Sequence, residues 1–97
     1  MAKGYWVVCY HAINNPEGFA AYVKIAPAAV QAAGGRFVAR GMPAKTYEKG
    51  MNQRVTLIEF DSLAQALAAH ETPAYQEALR VLGDAVERDM RIVEGMA

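Results

Sequence analysis

The chain has 97 residues, 54% of them hydrophobic and 21% charged, and its ten basic side chains balance its ten acidic ones. We expect a single domain over residues 1–97 with one modest core, because this length and composition fit neither a disordered chain nor two domains. Balanced charge offers no basic stripe to nucleic acid, and no apolar run suits a membrane or a signal peptide, so we expect a soluble, cytoplasmic bacterial protein.

The first predicted element is a strand over residues 3–12, where β-branched and aromatic residues dominate. Alternation places Trp6, Val8 and Tyr10 on one face, with Val7 and Cys9 on the other. Both faces are therefore largely apolar, which means that each must be covered. A single cysteine in such a strand acts as a small core residue and excludes an internal disulfide.

A helix follows the first strand. Asn15 is a good N-cap and Pro16 suits the first helical position. The pair Gly34 and Gly35 ends the helix. Pro27 lies within the helical pattern, and we expect it to kink the helix or to split it near Lys24.

Two strands, 36–41 and 54–60, form the next predicted unit, a hairpin with an irregular bend between them. Strict alternation in "RFVARG" places Arg36, Val38 and Arg40 on one face of the second strand. The third strand alternates in the same way and carries Glu59 on the face that holds Val55.

The rest of the chain is predicted to be helical until a final strand. Asp61 or Ser62 caps a helix that Pro73 interrupts. Thr72 then caps a second piece, whose apolar face continues as far as Val86. The segment "DMRIVEG", residues 89–95, is the fourth strand.

This order is β-α-β-β-α-β, which predicts a ferredoxin-like α+β fold with an antiparallel sheet ordered 4-1-3-2 and its helices on one face. The uncovered sheet face is apolar, and such a face marks an interface. We therefore expect a homodimer that packs sheet against sheet and buries more than about 2,000 Å² in total.

Several stretches together resemble the family called Domain of Unknown Function 1330. They are "KGYW", "NPEGFAAYV", "GGRFVARG", "RVTLIEFDS", "TPAYQEA" and "IVEG", and they cover nearly the whole chain. The resemblance implies a dimeric α+β barrel of unassigned activity. Related barrels include cofactor-free oxygenases, isomerases, dehalogenase-like enzymes and ligand binders, so the fold alone does not identify a reaction.

Arg36, Arg40 and Glu59 are the first candidate site residues, because they would form a polar cluster within an apolar surface. One interpretation is a structural ion-pair network at the dimer interface, since arginine pairs well with carboxylates. The other is a cleft that binds an anion. The charge pattern predicts that one arginine pairs with Glu59 or Asp61 and the other faces the cleft.

Three further residues are candidates. His11 is the best candidate for a catalytic group, because histidine can act as a base near neutral pH. Tyr22 and Tyr75 either fill the core or give an apolar pocket an oriented hydrogen bond. We therefore expect a protein that binds a small anionic or aromatic metabolite between sheet and helices, or alternatively a cofactor-independent enzyme, with no cofactor and no metal.

Overall fold

Four strands and three helices follow one another in the computed structural model, which describes residues 2–97. Their bounds are β1 Gly4–Ile13, α1 Pro16–Ala32, β2 Arg36–Gly41, β3 Val55–Phe60, α2 Leu63–His70, α3 Pro73–Leu82 and β4 Val86–Glu94. The strands form one antiparallel sheet in the order β2-β3-β1-β4. The ferredoxin-like fold and the sheet order are thus confirmed. No helix within residues 2–97 is long and apolar enough to cross a membrane.

Polar side chains start the three helices as the sequence predicts. Asn15 accepts a hydrogen bond from the backbone of Gly18 at the start of α1, and Thr72 caps α3. The N-cap of α2 is Ser62, whose hydroxyl accepts from the backbone N–H of Gln65. A capped first turn satisfies backbone N–H groups that have no partner within the helix.

Two expectations about the helices are wrong. The helix α1 is continuous from Pro16 to Ala32 and is not split near Lys24, because the buried residues Ala26, Ala29 and Val30 hold this segment against the core on both sides of Pro27. A kink at Pro27 stays a prediction. Val86 is not helical, since Gly83 ends α3 with a φ of 52°. The chain therefore returns to the sheet early, and β4 begins at Val86 rather than at Asp89.

All three helices pack on one side of the sheet, which we call the covered face. The predicted inner residues of β1, Trp6, Val8 and Tyr10, lie there and are at most 5% exposed. Trp6 packs against the rings of Phe60 and Tyr75, and its indole N–H donates to the carbonyl of Ala66 at 2.8 Å. Aromatic side chains thus dominate this core.

The opposite side, which we call the open face, is covered by no helix of residues 2–97. The loop between β2 and β3 lies along part of it, where Pro43, Tyr47 and Met51 line one cleft together with residues of the sheet. The centre of the open face is apolar and only partly exposed, formed by Val7 and Cys9 of β1 and by Val55 and Leu57 of β3. These residues pair directly across the two central strands, Val7 with Leu57 and Cys9 with Val55. An apolar patch in the middle of a sheet is the feature that predicts an interface.

A β-bulge in β2 changes which residues share a face. Phe37 pairs with Ile58, but the next paired residue is Ala39, opposite Leu57. Val38 is therefore an extra residue that interrupts the alternation. Arg36 lies on the open face and Arg40 on the covered face, so the prediction that both arginines share one face is wrong.

Candidate functional site: a crevice beneath helix α1

A crevice opens between α1 and the covered face of the sheet. Its enclosed cavity is about 40 Å³, and its empty space including the open mouth is about 430 Å³. The enclosed part has room for about three water molecules, so a larger ligand would lie partly in the mouth. Its walls come from β1, α1, both hairpin strands, α3 and β4, with lining residues Trp6, Val8, Tyr10, Phe19, Tyr22, Val23, Ala26, Pro27, Val30, Phe37, Arg40, Arg54, Thr56, Ile58, Tyr75 and Arg88.

Three arginines line this mainly apolar crevice. The guanidinium of Arg40 lies 4.8 Å from the ring centre of Phe37, and that of Arg54 lies 5.4 Å from the ring centre of Phe19. Arg88 lies over two tyrosine rings at 5.1 and 5.6 Å. Stacking on aromatic rings holds each guanidinium against the wall and leaves N–H groups at its edge for other partners.

No acidic side chain lines the crevice. Within residues 2–97, Arg40, Arg54 and Arg88 also make no salt bridge with any carboxylate. The chain as a whole is neutral, so these cations are concentrated here without their counter-charges. Low-dielectric walls strengthen the attraction of such a site for an anion.

A hydrogen-bonded cluster of Tyr10, Tyr22, Tyr75 and Arg88 lies inside the crevice. Arg88 donates to the hydroxyl oxygens of Tyr10 at 3.1 Å, Tyr22 at 3.3 Å and Tyr75 at 3.2 Å. The hydroxyls of Tyr22 and Tyr75 share a further hydrogen bond of 2.7 Å. We call these four residues the tyrosine–arginine cluster.

The hydroxyls of Tyr10 and Tyr22 are neutral. Burial raises the pKa of Tyr22 far above its ordinary value, and the neighbouring Tyr75 adds to the shift. Burial likewise raises the pKa of Tyr10. Both hydroxyls therefore keep their protons at neutral pH, although a cation lies beside them.

Charges on the open face are arranged differently, because they are paired. The guanidinium of Arg36 donates to Glu59 at 3.0 and 3.2 Å and to Asp61 at 3.0 Å. Tyr5 donates its hydroxyl proton to Glu59 at 3.2 Å. The hydrogen bonds from Arg36 hold the pKa of Glu59 below its ordinary value. The predicted ion pair across the hairpin is present.

His11 belongs to a second paired group on the open face. Its Nε2 lies 2.8 Å from Asp89, which also accepts from Arg91 at 3.1 Å. The hydrogen bond from His11 is the main cause of the lowered pKa of Asp89. His11 is exposed and is not among the residues that line the crevice.

The predicted site residues thus fall into two groups. Arg40, Tyr22 and Tyr75 line the crevice, whereas Arg36 and Glu59 pair on the other side of the sheet. The expectation of one cluster formed by both arginines and Glu59 is wrong, because the bulge separates them.

Sequence reasoning missed Arg54 and Arg88, although alternation contains the signal for both. Arg54 lies two residues before Thr56, and β3 continues inward at Ile58 and Phe60. Arg88 lies two residues before Met90 on the same face of β4. Applying alternation within the predicted third strand would have placed Arg54 inside, and extending the fourth strand by one residue would have done the same for Arg88.

Comparison with known proteins agrees with this architecture. A family model described as "Domain of unknown function (DUF1330)" matches residues 3–96. No curated protein matches the chain. A protein of unknown function from Rhodopseudomonas palustris has a similar structure, with a TM-score of 0.74, 17% identity, and coverage of 99% of this chain and 84% of that one.

Two other solved structures share the fold at low identity. One is a dimeric ferredoxin-like protein of unknown function from Thermobifida fusca, with a TM-score of 0.67, 11% identity, and coverage of 98% of this chain and 92% of that one. The other is SnoaB, a cofactor-independent oxygenase from Streptomyces nogalater, with a TM-score of 0.67, 12% identity, and coverage of 100% of this chain and 96% of that one. Likeness at this identity shows the fold alone.

Proposed function

Because the chain belongs to the DUF1330 family, a family described as a domain of unknown function, we propose its function from the crevice: it binds a small anionic molecule with an aromatic or apolar body. The body lies between α1 and the sheet. The anionic group meets the arginines Arg40 and Arg54.

The observation that carries this proposal is a set of three crevice arginines without a carboxylate among the lining residues. A cation held against an aromatic wall is partly removed from water, and the loss of hydration favours any anion that can reach it. A guanidinium also presents paired N–H groups that fit a carboxylate or a phosphate. A bound anion would therefore provide the partner that the chain does not.

The alternative of a cofactor-independent enzyme has less support from the side chains of the crevice. General acid–base catalysis needs a group that accepts a proton close to the substrate. Neither a histidine nor a carboxylate lines the crevice, and His11 is paired on the open face. Binding is thus the activity that these residues support best.

We also propose that the protein is a homodimer through its open face. The apolar centre of this face, Val7, Cys9, Val55 and Leu57, is only partly exposed in one chain and would be covered by a second copy. The ion pair between Arg36 and Glu59 lies at one end of this apolar centre. Paired charges enter an interface at lower cost than unpaired ones. The crevices lie on the other side of each sheet and would stay accessible.

Calorimetric titration with benzoate and benzamide tests the binding proposal, because the two molecules share a ring and differ in charge. Benzoate should bind and raise the melting temperature, whereas benzamide should bind at least about tenfold more weakly, a difference of about 1.4 kcal/mol. Arg40→Gln and Arg54→Gln should each weaken benzoate binding. The exposed Arg80, which pairs with Glu77 on α3, supplies the control Arg80→Gln. Equal affinity for both molecules, or no binding of either, would contradict the proposal.

A further inference from the structure

The tyrosine–arginine cluster holds hydroxyl protons that its own contacts do not use. Every hydroxyl oxygen in it accepts from Arg88. Arginine only donates, while each tyrosine hydroxyl carries one proton to give. The protons that find no acceptor within the cluster are therefore the ones that a ligand could accept.

Counting the hydroxyl protons shows the surplus. One proton is used between Tyr22 and Tyr75, since only one of the two can donate along their shared hydrogen bond. The other member of that pair keeps its proton. Tyr10 takes part in the cluster only as an acceptor from Arg88. Of the three hydroxyl protons, two thus have no acceptor within the cluster.

The surrounding crevice does not remove this surplus. Apart from the tyrosines, Thr56 is the one lining residue whose side chain can accept a hydrogen bond, and its hydroxyl brings a proton of its own. A water molecule likewise brings as many protons as it can accept. An acceptor that carries no proton, such as a carbonyl oxygen or an oxyanion, is the partner that uses the free donors.

The tyrosines themselves are well placed to favour such an acceptor. Tyr10, Tyr22 and Tyr75 are all at most 7% exposed. A donor that is shielded from water gains more from an acceptor than an exposed donor does, and the gain is largest when the acceptor is charged.

We propose that the tyrosine–arginine cluster is a subsite for an oxygen of the ligand that is a carbonyl or ionises to an oxyanion, as in phenols and enols. This inference rests on the proposed binding function and adds the chemical class of the ligand. The cluster stabilises negative charge on that oxygen. A ligand of this kind is bound in preference as its anion.

The colour change of 4-nitrophenol on ionisation tests the subsite directly. The cluster should bind the phenolate about tenfold more tightly than the phenol, which lowers the midpoint of ionisation of the bound probe by about one pH unit. Tyr10→Phe and Tyr22→Phe keep the rings and remove the hydroxyls, and each should return the midpoint toward that of the free probe. Tyr47 is 75% exposed and lies outside the crevice, so Tyr47→Phe is the matched control.

The outcomes separate this inference from the binding proposal. An unchanged midpoint, or a lowered one that depends on Arg40 and persists in both Tyr10→Phe and Tyr22→Phe, overturns the subsite while anion binding stands. Binding of benzoate without any binding of 4-nitrophenol also overturns the subsite and leaves anion binding standing. If neither probe binds, both proposals fail. A lowered midpoint that these two variants alone reduce supports the subsite.

Discussion

The arginines on the two faces of the sheet have different partners. On the open face, Arg36 meets the carboxylates of Glu59 and Asp61, and Arg91 meets Asp89. On the covered face, the arginines meet aromatic rings and hydroxyls but no carboxylate. Pairing thus distinguishes the open-face cations, which have carboxylate partners, from the covered-face cations, which have none within residues 2–97.

The largest expected effect comes from placing a charge on the covered face. Val8 is 2% exposed, and Val8→Asp buries a carboxylate without a partner. The cost of several kcal/mol is comparable with a total stability of about 5 to 15 kcal/mol. We expect no cooperative thermal transition by circular dichroism. A melting curve close to that of the unmodified protein would show that β1 does not face the core as described.

The same substitution one residue earlier should act on assembly instead. Val7 lies on the open face, where Val7→Asp leaves the core intact but brings two carboxylates together in the proposed homodimer. Light scattering should show a folded monomer, against a dimer for the unmodified protein at micromolar concentration. A monomer in both cases would refute the dimer. Unfolding of Val7→Asp would show that Val7, like Val8, is needed for folding.

Arginine substitutions should separate ligand binding from stability. Arg40→Gln should weaken benzoate binding about tenfold or more and change the melting temperature little, since no carboxylate loses its partner. Arg36→Gln should lower the melting temperature, because Glu59 and Asp61 lose their cation, and should leave benzoate binding unchanged. Calorimetry and thermal unfolding of both variants measure the two effects. If both variants lose the same property, pairing does not distinguish the two kinds of arginine.

The smallest expected effect is a pH dependence that originates on the open face. The folded chain holds the pKa of Glu59 below the ordinary value of 4.5, so the pair contributes stability above pH 4.5 and loses it as the pH falls through the lowered value. The free energy of unfolding, measured in urea between pH 6 and about 3, should fall less in Glu59→Gln than in the unmodified protein. Asp89→Asn should remove a separate part of this fall. If the free energy of unfolding falls as much in both variants as in the unmodified protein, the pH dependence does not come from Glu59 and Asp89.

Much of the fold could be predicted because local signals and topology agree. Asn15, Ser62 and Thr72 mark helix starts through side-chain chemistry that operates within a single turn. The apolar alternation of β1 identified its inner residues correctly. The sheet order followed from the element order, since few connections are compatible with it.

The candidate site was harder to predict because it depends on the registers of neighbouring strands. Nothing in "RFVARG" distinguishes a bulge at Val38 from regular alternation, because a bulge arises from pairing with β3. Arg88 was missed for a different reason. Its strand begins earlier than the apolar pattern suggests, so its inward orientation depends on where Gly83 ends the preceding helix.

The bulge at Val38 lets two arginines an even number of residues apart serve opposite sides of one strand. Deleting Val38 would leave Arg40 in the crevice, because Phe37 would then be followed directly by Ala39 opposite Leu57 and by Arg40 opposite Thr56. A relative of the same length whose second strand alternates without a bulge would instead carry both arginines on the open face. A one-residue gap here in an alignment of relatives is therefore compatible with an unchanged crevice, whereas an ungapped match can hide an arginine on the other side of the sheet.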